Sequence, residues 1–253
     1  MDFILRNIMI GDISLMELYS HEGAKKKPMI LMIHGYLCLK EQHMLHAYNL
    51  ARHGFFVVLP DAYGHGERNT TGENCTFFEA ALNTTTEINY LIDSYSKDER
   101  VDITRVGLTG FSMGGCITFN YLAGEDMRIK AAVPVIGTPD WVSIMKTEGV
   151  KAEMKASGLV KSDADMEEYA RIASKVQPLN KFTNMKDIPL LILSGGDDPI
   201  IPTDIVKQFY EQLQALYTCK EDIKHIVYNG VGHVDNYPMN MELAQWFVKY
   251  LKP

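Results

Sequence analysis

Gly110-Phe-Ser112-Met-Gly114 sets one hydroxyl between two glycines, at a spacing suited to nucleophilic chemistry. A sharp strand-to-helix turn that holds a serine clear of the backbone has this Gly-x-Ser-x-Gly pattern, with the serine at a strained φ/ψ. Side chains two residues to either side would collide with neighbouring elements, and glycine has no Cβ to do so. The flanks fit: Arg105–Thr109 reads as a short buried strand and Cys116–Ala123 as the helix after it. A serine alone is inert near neutral pH. It needs a base, an acid to orient that base, and donors for the oxyanion that develops.

The chain has eight histidines. His233, in Gly230-Val-Gly-His233, lies just past the last expected strand on a loop able to reach the sheet's carboxyl edge, and is the preferred base. His65, in Asp61-Ala-Tyr-Gly-His-Gly-Glu-Arg68, also follows a strand and is its competitor. His34 shapes a turn before Gly35, while His21, His43, His46, His53 and His225 are expected on the surface. The acid belongs after the strand at 188–193, where Asp197 and Asp198 are adjacent. Neighbours in extended chain point opposite ways, so only one addresses the histidine. Pro199 biases Asp198 toward extended backbone, favouring Asp198 as the acid with Asp197 bracing the loop. A purely structural role for either is to cap the helix beginning near Thr203.

These residues need a scaffold, and the chain alternates strand and helix patterns. A hairpin over Asp2–Tyr19 is followed by apolar strands at 28–33, 55–59, 105–109, 130–136, 188–193 and 224–228. Helical spacing marks 41–53, 77–95, 116–123, 203–217 and 239–251. Near-continuous apolar strands alternating with helices predict a mostly parallel sheet wound on both faces. Pro134 has no N–H to give its strand. About fifty residues separate Ile136 from Ile188, too many for one crossover. Lys146–Ser157 and Asp163–Val176 are expected to be helices of a lid over 138–180. Apolar positions such as Met145, Val150 and Met154 either pack these helices down or face substrate, and Trp141 and Met145 are candidate pocket residues.

With 253 residues, 46 % hydrophobic, the chain suits one domain, 1–253. A net charge of −7, with Lys25-Lys26-Lys27 as a solvated turn, gives no nucleic-acid footprint. No stretch approaches the ~20 apolar residues of a membrane helix, and the N-terminus lacks the pattern of a signal peptide. The four cysteines have no metal-ligand spacing. A cytoplasmic protein without metal or organic cofactor is expected.

In order and spacing, His34-Gly-Tyr36, Asp61-Ala-Tyr-Gly-His-Gly66, Gly110–Gly114, Gly195-Gly-Asp-Asp-Pro-Ile-Ile-Pro202 and Gly232-His233 resemble the α/β-hydrolase fold family. The chain looks most like its dienelactone-hydrolase-like and prolyl-oligopeptidase-like single-domain serine esterases, over roughly Pro28 to Leu251. The resemblance implies an α/β-hydrolase sheet of about eight strands with a helical lid. It implies the order Ser112, Asp198, His233 for nucleophile, acid and base, and oxyanion donors at the backbone N–H groups of Tyr36 and Met113. Some relatives carry Gly-Gly-Gly where this chain has Gly-Tyr-Leu, so Tyr36 narrows the acyl pocket or offers it a hydroxyl. Dienelactone hydrolases proper use cysteine, unlike Ser112, and the peptidase relatives carry a propeller for which there is no room here. The implied activity is carboxylesterase action on a small or medium ester. Thioesterase, amidase, perhydrolase and non-catalytic ligand receptor are the alternatives.

Overall fold

Strands that are apolar on both faces are satisfied only inside a sheet covered on both sides. The computed structural model, which describes residues 2–156, 160 and 162–253, places them there. Its eight strands are β1 (Phe3–Ile10), β2 (Ile13–Ser20), β3 (Lys27–Ile33), β4 (Phe56–Pro60), β5 (Val101–Phe111), β6 (Ala131–Val135), β7 (Leu190–Gly195) and β8 (Ile223–Tyr228). They lie in the order β1-β2-β4-β3-β5-β6-β7-β8. β2 runs antiparallel to β1 and β4; every pair from β4 to β8 is parallel.

Alternation along β3 shows how the two layers form. Met29, Leu31 and Ile33 face one apolar cluster, shared with α2 (Phe77–Ser94), α3 (Met113–Leu122) and α7 (Thr203–Leu216). Ile30 and Met32 face the other, shared with α1 (Met44–Arg52) and α8 (Tyr237–Leu251). Local signals set several helix starts. Thr76 and Glu79 make a reciprocal cap on α2, and Asn236 accepts from the Met239 N–H at the head of α8.

Some expectations change. The strand expected at 105–109 spans 101–111, and the helix expected from Glu41 begins as a 3-10 turn, Lys40–His43, before α1. Lys27 is buried rather than solvated, its Nζ donating to the carbonyls of Glu22 and Ala24. His43 and His46 are buried, not on the surface. Pro134 sits inside a central strand at a local cost in pairing. Ala132 and Ile136 donate to the Pro189 and Leu193 carbonyls at 2.9 and 2.7 Å. Pro134, midway between, has no N–H, and the β6–β7 register is interrupted there.

The long connection from β6 to β7 folds as α4 (Trp141–Ile144), α5 (Glu148–Ala156), α6 (Asp163–Val176) and a 3-10 segment, Pro178–Met185. Ser157, the expected last residue of its first long helix, lies outside the described residues. Tyr169 of α6 stacks on Phe78 of α2, with ring centroids 5.6 Å apart, so that helix packs on the body.

Candidate active site

β5 ends and α3 begins at one residue, Ser112, whose φ of 55° and ψ of −111° lie where an L-residue is strained. The tightness of this turn explains its glycines. A Cβ on Gly110 would run into the Gly114 backbone, and one on Gly114 into the carbonyl oxygens of Ile33 and His34. β5 and α3 are thus pressed against the end of β3. The Ser112 side chain accepts no capping hydrogen bond from its own helix, leaving its hydroxyl available to other partners.

Ser112 Oγ lies 2.7 Å from His233 Nε2, and His233 Nδ1 lies 2.8 Å from Asp198 Oδ2. Three loops, after β5, β7 and β8, therefore converge in one hydrogen-bonded chain. A carboxylate only accepts, so Nδ1 carries the proton and Nε2 accepts from the serine hydroxyl. The other oxygen of Asp198 accepts the backbone N–H groups of Ile200 and Ile201, each at 2.9 Å. Asp197 is exposed, and its N–H donates to the Val231 carbonyl at 2.9 Å, tying the acid loop to the histidine loop. His65 takes no part in the chain. It is buried against Tyr36 and His34, with Nδ1 on the Tyr63 carbonyl.

His34 fastens the turn opposite Ser112. Its Nε2 accepts the Ala62 N–H at 2.9 Å, which fixes the proton on Nδ1 and directs it to the Gly35 carbonyl at 2.7 Å. Burial lowers its pKa to about 4, in keeping with this neutral form. The turn backs closely onto the serine: a Cβ on Gly35 would sit 3.6 Å from Ser112 Cβ. Below it, buried Asp61 receives Lys40 Nζ at 2.7 Å. Burial opposes the ammonium charge, but hydrogen bonds to Asp61 and Glu41 more than offset it and raise the Lys40 pKa.

A cavity of about 310 Å³ opens over Ser112 and His233. Its walls are Gly35, Tyr36 and Cys38 from the first turn, Phe77, Phe111, Met113 and Ile136 from the body, Ile144, Met145, Val150 and Met154 from the insertion, and Ile200 and Ile201 from the acid loop. Met145 thus lies where expected, and the Tyr36 ring lines the cavity while its hydroxyl is turned away to the Cys75 carbonyl. Trp141 does not line it, contrary to expectation. It is fully buried, its Nε1 donates to the Thr138 carbonyl at 3.1 Å, and its ring supports Phe77 edge-on at 5.4 Å. Phe77 is the wall, and Trp141 stands behind it. The insertion also touches the acid loop directly: a Cβ on Gly149, in the first turn of α5, would overlap the Pro199 carbonyl.

The model of the dienelactone hydrolase family matches residues 16–238. The chain belongs to that family. Its fold is the α/β-hydrolase fold, and family membership supports a hydrolase acting on esters. Among curated relatives, the Bacillus subtilis protein named "Putative esterase YitV" is 29 % identical over 266 residues, covering 98 % of this chain and 99 % of the relative. Among solved structures, TT1662 from Thermus thermophilus superposes with a TM-score of 0.79 at 20 % identity, each chain covered in full. The Pyrococcus furiosus esterase Pf2001 superposes at 0.68 and 19 % identity, covering 99 % of this chain and 93 % of its own. As a member of the dienelactone hydrolase family, the chain has one cysteine close behind its elbow, Cys116. That thiol is fully buried, and desolvation raises its pKa to about 12, far from a reactive thiolate.

Proposed function

We propose that this protein is a serine carboxylesterase that hydrolyses small or medium, largely apolar esters through an acyl-enzyme. The observation that carries the reading is the Ser112–His233–Asp198 chain, at 2.7 and 2.8 Å, on the floor of an apolar cavity. Ser112 Oγ attacks the ester carbonyl as His233 Nε2 takes its proton. Asp198 holds the imidazole by Nδ1 and stabilises the imidazolium. The N–H of Met113, at the head of α3, and that of Tyr36 donate to the oxyanion, which the helix dipole also favours. His233 then protonates the departing alkoxide. In the second half it deprotonates a water, which attacks the acyl carbon and releases the acid and Ser112.

The free thiols of Cys75, Cys116 and Cys219 agree with a reducing, cytoplasmic setting. No helix among the described residues is long and apolar enough to cross a membrane.

The test is Ser112→Ala assayed with p-nitrophenyl esters, alongside mass spectrometry of the parent after a serine-directed phosphonate. Loss of the nucleophile from such a triad costs ~10⁴–10⁶ in kcat, by analogy with a serine protease, and the phosphonate adduct should map to Ser112. A folded Ser112→Ala that keeps more than about a tenth of the activity refutes the mechanism.

A further inference from the structure

Three buried or half-buried ligating side chains meet at the rim of the cavity without belonging to the chain that serves Ser112. His43 closes the 3-10 turn and His46 lies in the first turn of α1, so their i, i+3 spacing turns both rings to one side. Asp235 approaches from the loop that carries His233. One ligand atom from each lies within 4.8 Å of the other two.

His46 and Asp235 stand in close polar contact. Both ring nitrogens of His46 are buried without a hydrogen-bond partner, although Nε2 stands 3.0 Å from Asp235 Oδ2. Tetrahedral bonds of about 2.1 Å hold their ligand atoms about 3.4 Å apart, so the three side chains, whose ligand atoms lie within 4.8 Å of one another, draw together to share one ion.

We propose that His43, His46 and Asp235 form a binding site for one divalent transition-metal ion of the zinc type, distinct from the Ser112–His233–Asp198 chain. Two imidazole nitrogens and one carboxylate oxygen favour zinc and its neighbours over magnesium or calcium. His43 and Asp235 both line the cavity, so the remaining coordination position opens toward it. An ion there fastens the His233 loop to the head of α1, two segments far apart in the sequence.

The test uses chelator-treated full-length protein, titrated with Zn²⁺ by calorimetry and with Co²⁺ by visible absorption. One equivalent should bind with a Kd in the micromolar range or below, and Tm should rise with Zn²⁺ concentration. His46→Ala should weaken binding at least tenfold, and so should Asp235→Asn, which also decides the matter if His46→Ala does not fold. The Co²⁺ complex should show nitrogen and oxygen ligation without thiolate charge-transfer bands. Absence of stoichiometric binding, unchanged affinity in a folded variant, or a thiolate spectrum overturns the proposal.

Discussion

Asp198→Asn isolates what the carboxylate does for His233. The two side chains are nearly isosteric, but only one end of an amide accepts hydrogen bonds. At position 198 the backbone decides which end goes where. The N–H groups of Ile200 and Ile201 both point at Oδ1, at 2.9 Å, and demand an acceptor there. The asparagine carbonyl must take that place, which puts its NH₂ 2.8 Å from His233 Nδ1, where Oδ2 now sits. A donor facing Nδ1 drives the proton to Nε2, and the ring then offers Ser112 a donor instead of a base. The expected loss in kcat is ~10⁴, or about 5.4 kcal/mol of transition-state stabilisation. Stability should fall far less. The two amide bonds survive with a neutral acceptor, a change of about 1–2 kcal/mol. Steady-state kinetics on a short p-nitrophenyl ester, with urea melts of the same preparations, measure both. Asp197→Asn is the control: that side chain is exposed, and its variant should stay within about tenfold of the parent. If Asp197→Asn is the more damaging change, or Asp198→Asn stays within tenfold while folded, the assignment of the acid is wrong.

Four further outcomes are expected. Met145→Ala should shift chain-length preference by about 1–3 kcal/mol in kcat/KM between acyl homologues, since Met145 lines the cavity. Trp141→Ala should instead cost about 3–5 kcal/mol of stability, being fully buried behind Phe77; melts combined with a substrate series separate the two effects. Gly114→Ala should fail to fold or lose several kcal/mol, because its Cβ would overlap the Ile33 carbonyl oxygen, and an unchanged melt would show that β3 and α3 can part. Burial lowers the pKa values of His34 and His225 to about 4, whereas unfolded histidine titrates near 6.5. The unfolded chain thus binds more protons between these values, so stability is intact above about pH 6.5 and falls as pH drops toward 4, by up to about 1.4 kcal/mol per unit for each ring. Urea midpoints from pH 7 to 4.5 should show this fall, and His225→Asn should flatten it; an equal slope in the variant would count against burial as the cause.

The elbow was legible because its constraint is local: glycines at 110 and 114 are dictated by atoms within a few residues of Ser112 and by one neighbouring strand. Alternation along the loop lets only one of Asp197 and Asp198 turn inward, and Pro199 together with the family resemblance favoured Asp198, the residue found 2.8 Å from His233 Nδ1. Trp141 and the His43–His46 pair were not legible. Whether an apolar ring lines a cavity or backs the residue that does depends on Phe77, more than sixty positions earlier in the chain. Whether a histidine near a helix start is wet depends on what covers it, here Phe111, whose ring stacks on His43 at 3.9 Å. Helical spacing likewise gave α5 and α6 the same signature, yet Val150 and Met154 face the cavity while Tyr169 packs on α2.

The contact between Gly149 and Pro199 packs two distant parts of the chain, α5 and the acid loop, directly against each other. Met145, Val150 and Met154 share a wall with Ile200 and Ile201, and the second pair hangs from the amides that hold Asp198 in place. With no room for even a methyl group between α5 and Pro199, the insertion cannot lift without uncovering the strand of loop that steadies the acid. Reshaping the pocket from the insertion side therefore reaches the proton-transfer machinery as well. On the proposed mechanism, edits to α5 that reshape the pocket are expected to change rate as well as selectivity.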